Sequence, residues 1–218
     1  QPNIALISNI YWDNFKMVIS EADYLEQFEK FISTIVPKGT LIYNKDDHNI
    51  QKLIGETKDC KINRHGYQLP EYTINKGTTF VVVGDEAIPL QIIGKQNLSN
   101  IAGAYTVCEW LGVKRGAFFE AIKDFKSAIR YLEFVASDGD SVVYHDFIRT
   151  PLKLKASVHA IKEQFVGSKL LSIIELNPYD VYDELKMQQF DKSMEESDLV
   201  VVFVNINIIR EKNIDLNN

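Results

Sequence analysis

Gly39-Thr40-Leu41-Ile42-Tyr43-Asn44-Lys45-Asp46-Asp47 is the stretch on which the fold turns. Thr40, Leu41, Ile42 and Tyr43 read as a strand, and Pro37-Lys38-Gly39 just before them stops a helix. That helix spans residues 20–35: Ser20 is followed three residues on by Asp23, and Tyr24, Leu25, Phe28, Phe31, Ile32 and Ile35 recur at helical spacing. Upstream, residues 4–10 are apolar and β-branched enough for a buried strand. Downstream, residues 49–55 predict a short helix with Ile50, Leu53 and Ile54 on its inner face. Strand, helix, strand, helix is the order of a mostly parallel sheet with covering helices, so an α/β fold is expected.

The pattern changes after Tyr67. Short runs at 72–74, 78–83 and 88–93, broken by Asn75-Lys76-Gly77 and Gly84-Asp85, predict an antiparallel meander. Helices are expected over 98–111 and 115–126. The first is entered through Gly94-Lys95-Gln96-Asn97-Leu98-Ser99-Asn100, where carboxamides three residues apart share one helix face. Each offers a donor and an acceptor, as does the edge of adenine, so a purine grip is one reading. Helix capping by Asn97 is the other.

Beyond residue 127, residues 134–136 and 141–144 flank Asp138-Gly139-Asp140, a hairpin turn. Residues 152–165 predict a helix with Leu154, Val158, Ile161 and Phe165 on one stripe and Pro151 near its start. Apolar strands over 170–176 and 199–204 are joined by an acidic helix around 187–196. This half is Rossmann-like in order but carries no G-x-G-x-x-G.

The net charge of -6 argues against a broad nucleic-acid or membrane-surface footprint, which would want a basic patch. No apolar run approaches the roughly 18 residues of a membrane span, and a cytoplasmic location is expected. The two cysteines are too few for a disulfide framework, and the four histidines show no metal-ligand spacing.

Four of these stretches, in order, resemble the motifs of the Mur ligases, the ATP-dependent amide-forming enzymes of peptidoglycan assembly. Residues 94–100 resemble Gly-x-His-Asn-x-x-Asn. Ser8-Asn9-Ile10-Tyr11-Trp12-Asp13-Asn14 resembles the end of a strand in Asn-Ile-x-x-Asp-His, and residues 39–47 resemble Gly-x-x-x-x-Asn-x-Asp-Asp. Tyr144-His145-Asp146-Phe147-Ile148-Arg149-Thr150-Pro151 sits where the family has Asp-(Tyr/Phe)-Ala-His-x-Pro. Within the family the muropeptide-ligase branch is the first match and the L-alanine-adding branch the second.

The resemblance implies a partial central ATP-binding domain over 1–126, lacking its phosphate loop, and a Rossmann-like C-terminal domain over 127–218. It implies ATP and magnesium as cofactors, and UDP-N-acetylmuramate with an amino acid or peptide as partners. Asn97 and Asn100 would hold adenine beside Gln96, Asp146 and Arg130 would face the rest of the nucleotide, and Asp13 with Asn14 would lie in the magnesium region. No catalytic residue is assigned. Asn14, Gln96 and Arg149 stand where the motifs have histidine, Tyr131 replaces a family arginine, and no G-x-x-x-x-G-K-[ST] occurs in the 218 residues. Glu133 and Pro151 keep the family's residues. Two rivals follow: a non-catalytic nucleotide- or protein-binding module on the same scaffold, and a purely structural reading in which an isolated fragment folds and has no activity of its own; Asp13 and Asp146 could also simply end strands.

Overall fold

In a computed structural model of the protein, residues 1–12, 20–56, 61–126, 131–148, 150–177 and 180–205 are described. The chain separates into two compact units, Gln1–Phe125 and Lys126–Asn218.

In the first unit β1 (Ile4–Ile7), β2 (Thr40–Asn44) and β3 (Asn63–Tyr67) form a parallel sheet with β2 in the middle. The register sets Ile4 opposite Thr40 and Thr40 opposite Asn63. Parallel neighbours need crossovers, and α1 (Glu21–Ser33) and α2 (His48–Glu56) lie between the strands in sequence. Ser20 caps α1: its hydroxyl accepts from the Asp23 N–H at 3.1 Å and donates to the Asp23 carboxylate at 2.8 Å. Ala5, Ile7 and Leu41 pack with Ile32, Ile35, Ile50, Leu53 and Ile54. Ile42, next to Leu41 and so on the opposite face, is also fully buried. That face is covered by α3 (Lys95–Trp110), which touches all three strands.

The antiparallel meander is β4 (Tyr72–Asn75), β5 (Thr78–Val83) and β6 (Glu86–Leu90). Lys76 and Gly77 both take positive φ, 48° and 74°, as a two-residue hairpin turn requires. Val81, Ile88, Leu90 and Ile92 pack against Leu98 and Ile101 of α3 and against Phe118 and Phe119 of α4 (Arg115–Ile122). Helix α3 is therefore held between two layers, and its apolar residues are not confined to one stripe.

Several expected boundaries move. Strand β1 ends at Ile7 rather than 10, because the Ile10 N–H turns to the Asp47 carboxylate at 2.9 Å instead of a strand partner. Strand β6 ends at Leu90, and Ile92 and Ile93 are buried from a loop. Helix α4 stops at Ile122, short of the expected 126. Strand β3 is absent from the expectations altogether. Its Asn-Arg-His-Gly-Tyr sequence has no apolar alternation, since only Tyr67 is buried and the pairing comes from β2.

In the second unit β7 (Glu133–Ser137) and β8 (Val142–His145) make the hairpin. Asp138 Oδ1 accepts from the N–H groups of Asp140 at 3.1 Å and Ser141 at 2.7 Å, closing the turn. These bonds hold the Asp138 carboxyl below the ordinary carboxylate range. Thr150 caps α5 (Pro151–Gln164), with proline in the first turn where no N–H is needed. Strands β9 (Leu171–Leu176) and β10 (Leu199–Val204) pair in parallel, with α6 (Glu184–Ser193) between them in sequence. Helix α6 starts three residues before the expected 187 because the Asp183 side chain accepts from the Lys186 N–H at 3.0 Å. Leu154, Val158, Leu176, Phe190 and Met194 form this unit's core.

Candidate functional site

Ligands of open α/β sheets bind outside the carboxyl ends of the parallel strands, and in the first unit that edge is built by the polar run after β2. Asn44 Nδ2 donates to the Ser8 carbonyl at 3.2 Å and to Ser99 Oγ at 3.3 Å, and its Oδ1 accepts from the Asp46 N–H at 2.9 Å. Asp47 spends both oxygens, one on the Ile10 N–H and one on the Ile50 N–H, each at 2.9 Å. Asp46 accepts from the Leu69 N–H at 2.7 Å, and Asn49 donates to the Ile10 carbonyl at 3.0 Å. The Asn-x-Asp-Asp run is thus a loop organiser: it joins the segment after β1, the start of α2, the segment after β3 and helix α3. Asp47 therefore has each oxygen on a backbone N–H, and Asp46 has one. Among the described residues no group of three or more His, Cys, Asp or Glu is placed to hold a metal ion.

Helix α3 begins at this edge, and it begins earlier than expected. Gly94 is its N-cap at φ 88°, a value glycine adopts without the strain a β-carbon would bring. Capping by Asn97 is therefore corrected: Asn97 sits in the first turn, and its Nδ2 donates back to the Ile93 carbonyl at 2.9 Å. The Asn97 Oδ1 has no partner among the described residues. Asn100 lies one turn further along the same face, exposed, and its carboxamide is unengaged among the described residues. Gln96 is exposed as well.

Below these side chains the helix comes close to the sheet. A β-carbon at Gly103 would lie 2.8 Å from Cζ of Tyr67 and 2.9 Å from its hydroxyl oxygen, so only glycine fits without a shift. Tyr67 is 6% exposed, and its hydroxyl has no hydrogen-bond partner among the described residues. Burial pushes its phenol up, with the nearby Ser99 hydroxyl acting in the opposite sense and Asp46 and Asp47 adding to the rise. Further along, the Trp110 and His65 rings stand 5.7 Å apart, so the end of α3 also lies on β3.

In the second unit Asp146 follows β8, half-buried, and accepts from the Ser157 hydroxyl of α5. That bond joins the hairpin to the helix and occupies one carboxylate oxygen. Asp13, Asn14, Arg130 and Arg149 fall outside the described residues. Asn44, Ser99 and Tyr67 were not singled out from sequence as site residues. The available signal was the polar Asn-x-Asp-Asp run directly after an apolar strand.

A three-stranded parallel sheet, with a carboxamide-bearing helix entering at its carboxyl edge, defines the first unit as an α/β fold. The Mur ligase middle domain matches residues 1–108, which places that segment in the Mur ligase family. The UDP-N-acetylmuramate–L-alanine ligase of Caldicellulosiruptor bescii is 26% identical over 229 residues, covering 98% of this chain and 49% of the relative. That of Persephonella marina is 28% identical, covering 92% and 45%. The chain spans about half the length of the curated relatives it matches. Among solved structures, the UDP-N-acetylmuramate–alanine ligase MurC of Thermotoga maritima superposes with a TM-score of 0.70 at 19% identity, covering 100% of this chain and 50% of that one. The MurF ligase of Thermotoga maritima in complex with ADP gives 0.73 at 17% identity, covering 93% and 48%. A murein peptide ligase of Psychrobacter arcticus gives 0.55 at 14% identity, covering 100% and 53%. At these identities the structural likenesses establish the fold.

Proposed function

We propose that this chain is the adenine-holding part of an ATP-dependent ligase that joins an amino acid or peptide to UDP-N-acetylmuramate, acting in the cytoplasm. The observation that carries the reading is the start of α3, where Asn97 and the unengaged Asn100 present carboxamides on one face at the carboxyl edge of the parallel sheet. Asn97 Oδ1 would accept from an exocyclic purine amine, and Asn100 would donate to a ring nitrogen. The named activity of the L-alanine-adding relatives and the ADP bound in the MurF structure support the same choice. Among the described residues no helix is long and apolar enough to cross a membrane, which suits a nucleotide-using enzyme.

In such a reaction ATP transfers its terminal phosphoryl group to a substrate carboxylate. The amine then attacks the acyl phosphate, forming the C–N bond and releasing phosphate. Phosphoryl transfer depends on positioning and charge neutralisation, and this chain's share is to position the base and ribose. Magnesium would be met near Asp13 and Asn14, where Asn14 offers a neutral carbonyl oxygen in place of an imidazole. A second reading, a binding module without chemistry, is favoured by the lack of any G-x-x-x-x-G-K-[ST] in these 218 residues.

NMR titration with ADP and ATP tests the adenine site. Millimolar affinity is expected, about -4 kcal/mol, because base and ribose contacts are present without a phosphate cradle. Shifts should centre on residues 97–104 and vanish in Asn100→Ala. Their absence at saturating nucleotide would sink the reading. Phosphate release by the 218-residue chain alone should stay at background, and steady release dependent on UDP-N-acetylmuramate and an amine would overturn the non-catalytic view of this chain.

A further inference from the structure

Asn44, the last residue of β2, reaches the adenine-facing helix through Ser99. Helix α3 starts at Gly94 with no side-chain cap hydrogen bond. Its start would fray unless held from outside, since the N–H groups before Leu98 have no helical partner, and Leu98 is the first to bond back, to the Gly94 carbonyl at 3.2 Å. Beside the packing of Leu98, two hydrogen bonds hold it: the Asn97 side chain on the Ile93 carbonyl at 2.9 Å, and the Asn44 amide on Ser99 Oγ at 3.3 Å. Of these two hydrogen bonds the second ties the first turns to the sheet, adding a directional contact to the packing of Gly103 on Tyr67. Asn44 is itself immobilised, because its other amide proton goes to the Ser8 carbonyl and its oxygen takes the Asp46 N–H. Ser99 stands between Asn97 and Asn100 in sequence, so any rotation it permits is passed to both.

We propose that Asn44 and Ser99 are positioning residues, clamping the rotation of the first two turns of α3 and so the aim of Asn97 and Asn100 at a purine edge. The inference rests on the adenine reading above. It also explains why a carboxamide and not a carboxylate ends β2: the clamp needs two donors, which aspartate lacks.

Two measurements on the whole chain test it: amide exchange over residues 98–101 without ligand, and ADP affinity by NMR titration. Ser99→Ala and Asn44→Asp should each speed that exchange and weaken ADP by about fivefold, the equivalent of one neutral hydrogen bond. Ser99→Thr, which keeps the hydroxyl, should restore both. Thr106→Val serves as the control, because it removes a 2.8 Å hydroxyl bond to the Ala102 carbonyl later on the same helix and should move neither. A Ser99→Ala chain that binds ADP as tightly as the wild type overturns the clamp and leaves the adenine site standing. A wild type that shows no ADP-dependent shift removes the adenine site, and the clamp's effect on binding with it. Unchanged exchange in both variants overturns the clamp whatever the nucleotide does.

Discussion

Replacing Gly103 by alanine measures how tightly α3 is pressed on the parallel sheet. The added β-carbon would stand 2.8 Å from Tyr67 Cζ, 2.9 Å from its hydroxyl oxygen and 3.1 Å from Cε1. Carbon atoms pack best at about 3.5 Å or more, so roughly 0.7 Å must be found at the closest contact. The helix cannot retreat freely, because Leu98 and Ile101 are packed with Val81 and Phe118 in the meander layer. Nor is the ring free to swing, since Tyr67 is buried. Overpacking of this kind costs about 1–3 kcal/mol, while alanine gains up to about 1 kcal/mol over glycine inside a helix. The net expectation is a loss of about 1–2 kcal/mol. Both tryptophans, Trp12 and Trp110, belong to the first unit, so their fluorescence in urea follows that unit's unfolding. The midpoint should fall with the slope unchanged. Adding Tyr67→Phe removes the 2.9 Å contact together with an unpartnered buried hydroxyl, and should recover part of the loss. A midpoint for Gly103→Ala equal to or above that of the wild type would refute the close approach.

Asp47→Ala should lower the same midpoint by about 2 kcal/mol, because it removes both a helix cap at Ile50 and the bond to the Ile10 N–H. Asp198 accepts from Lys162 Nζ at 2.8 Å and from the Leu170 N–H at 2.7 Å, and these hold its carboxyl below the ordinary range. A depressed folded-state pKa means that its contribution is full above the unfolded aspartate range and is lost as pH falls through the folded value. Carbon-detected NMR titration should therefore find Asp198 protonating at lower pH than an ordinary aspartate, and Lys162→Ala should raise that midpoint. Thr150→Ala, which deletes the cap of α5, should cost about 1 kcal/mol in the second unit, read by circular dichroism in urea.

The elements whose causes are local were legible in the residues. Ser20 and Asp23 sit three apart and bond one another, Ile50, Leu53 and Ile54 share a face by spacing alone, and Asp138-Gly139-Asp140 closes its own turn. The strand, helix, strand, helix order likewise implied the parallel β1–β2 pair, because two covered strands joined by a helix have few other ways to pair. The ordered motifs carried the family, and the spacing of Asn97 and Asn100 by itself puts both carboxamides on one helix face. What sequence could not supply is held by contacts between distant residues. Strand β3 exists because β2 offers it hydrogen bonds, and its polar residues announce nothing. Asn97 looked like a cap, yet the helix starts three residues earlier, because Gly94 can take a φ of 88° and the Ile93 carbonyl receives the Asn97 amide. Asn44 and Ser99 are 55 residues apart, and Gly103 meets Tyr67 only because α3 crosses the sheet. By itself the sequence determined the kind of protein and the chemistry on offer, since propensity, periodicity and capping act within a few residues. Where that chemistry points was decided only by the tertiary structure, through the close packing of α3 between two sheets.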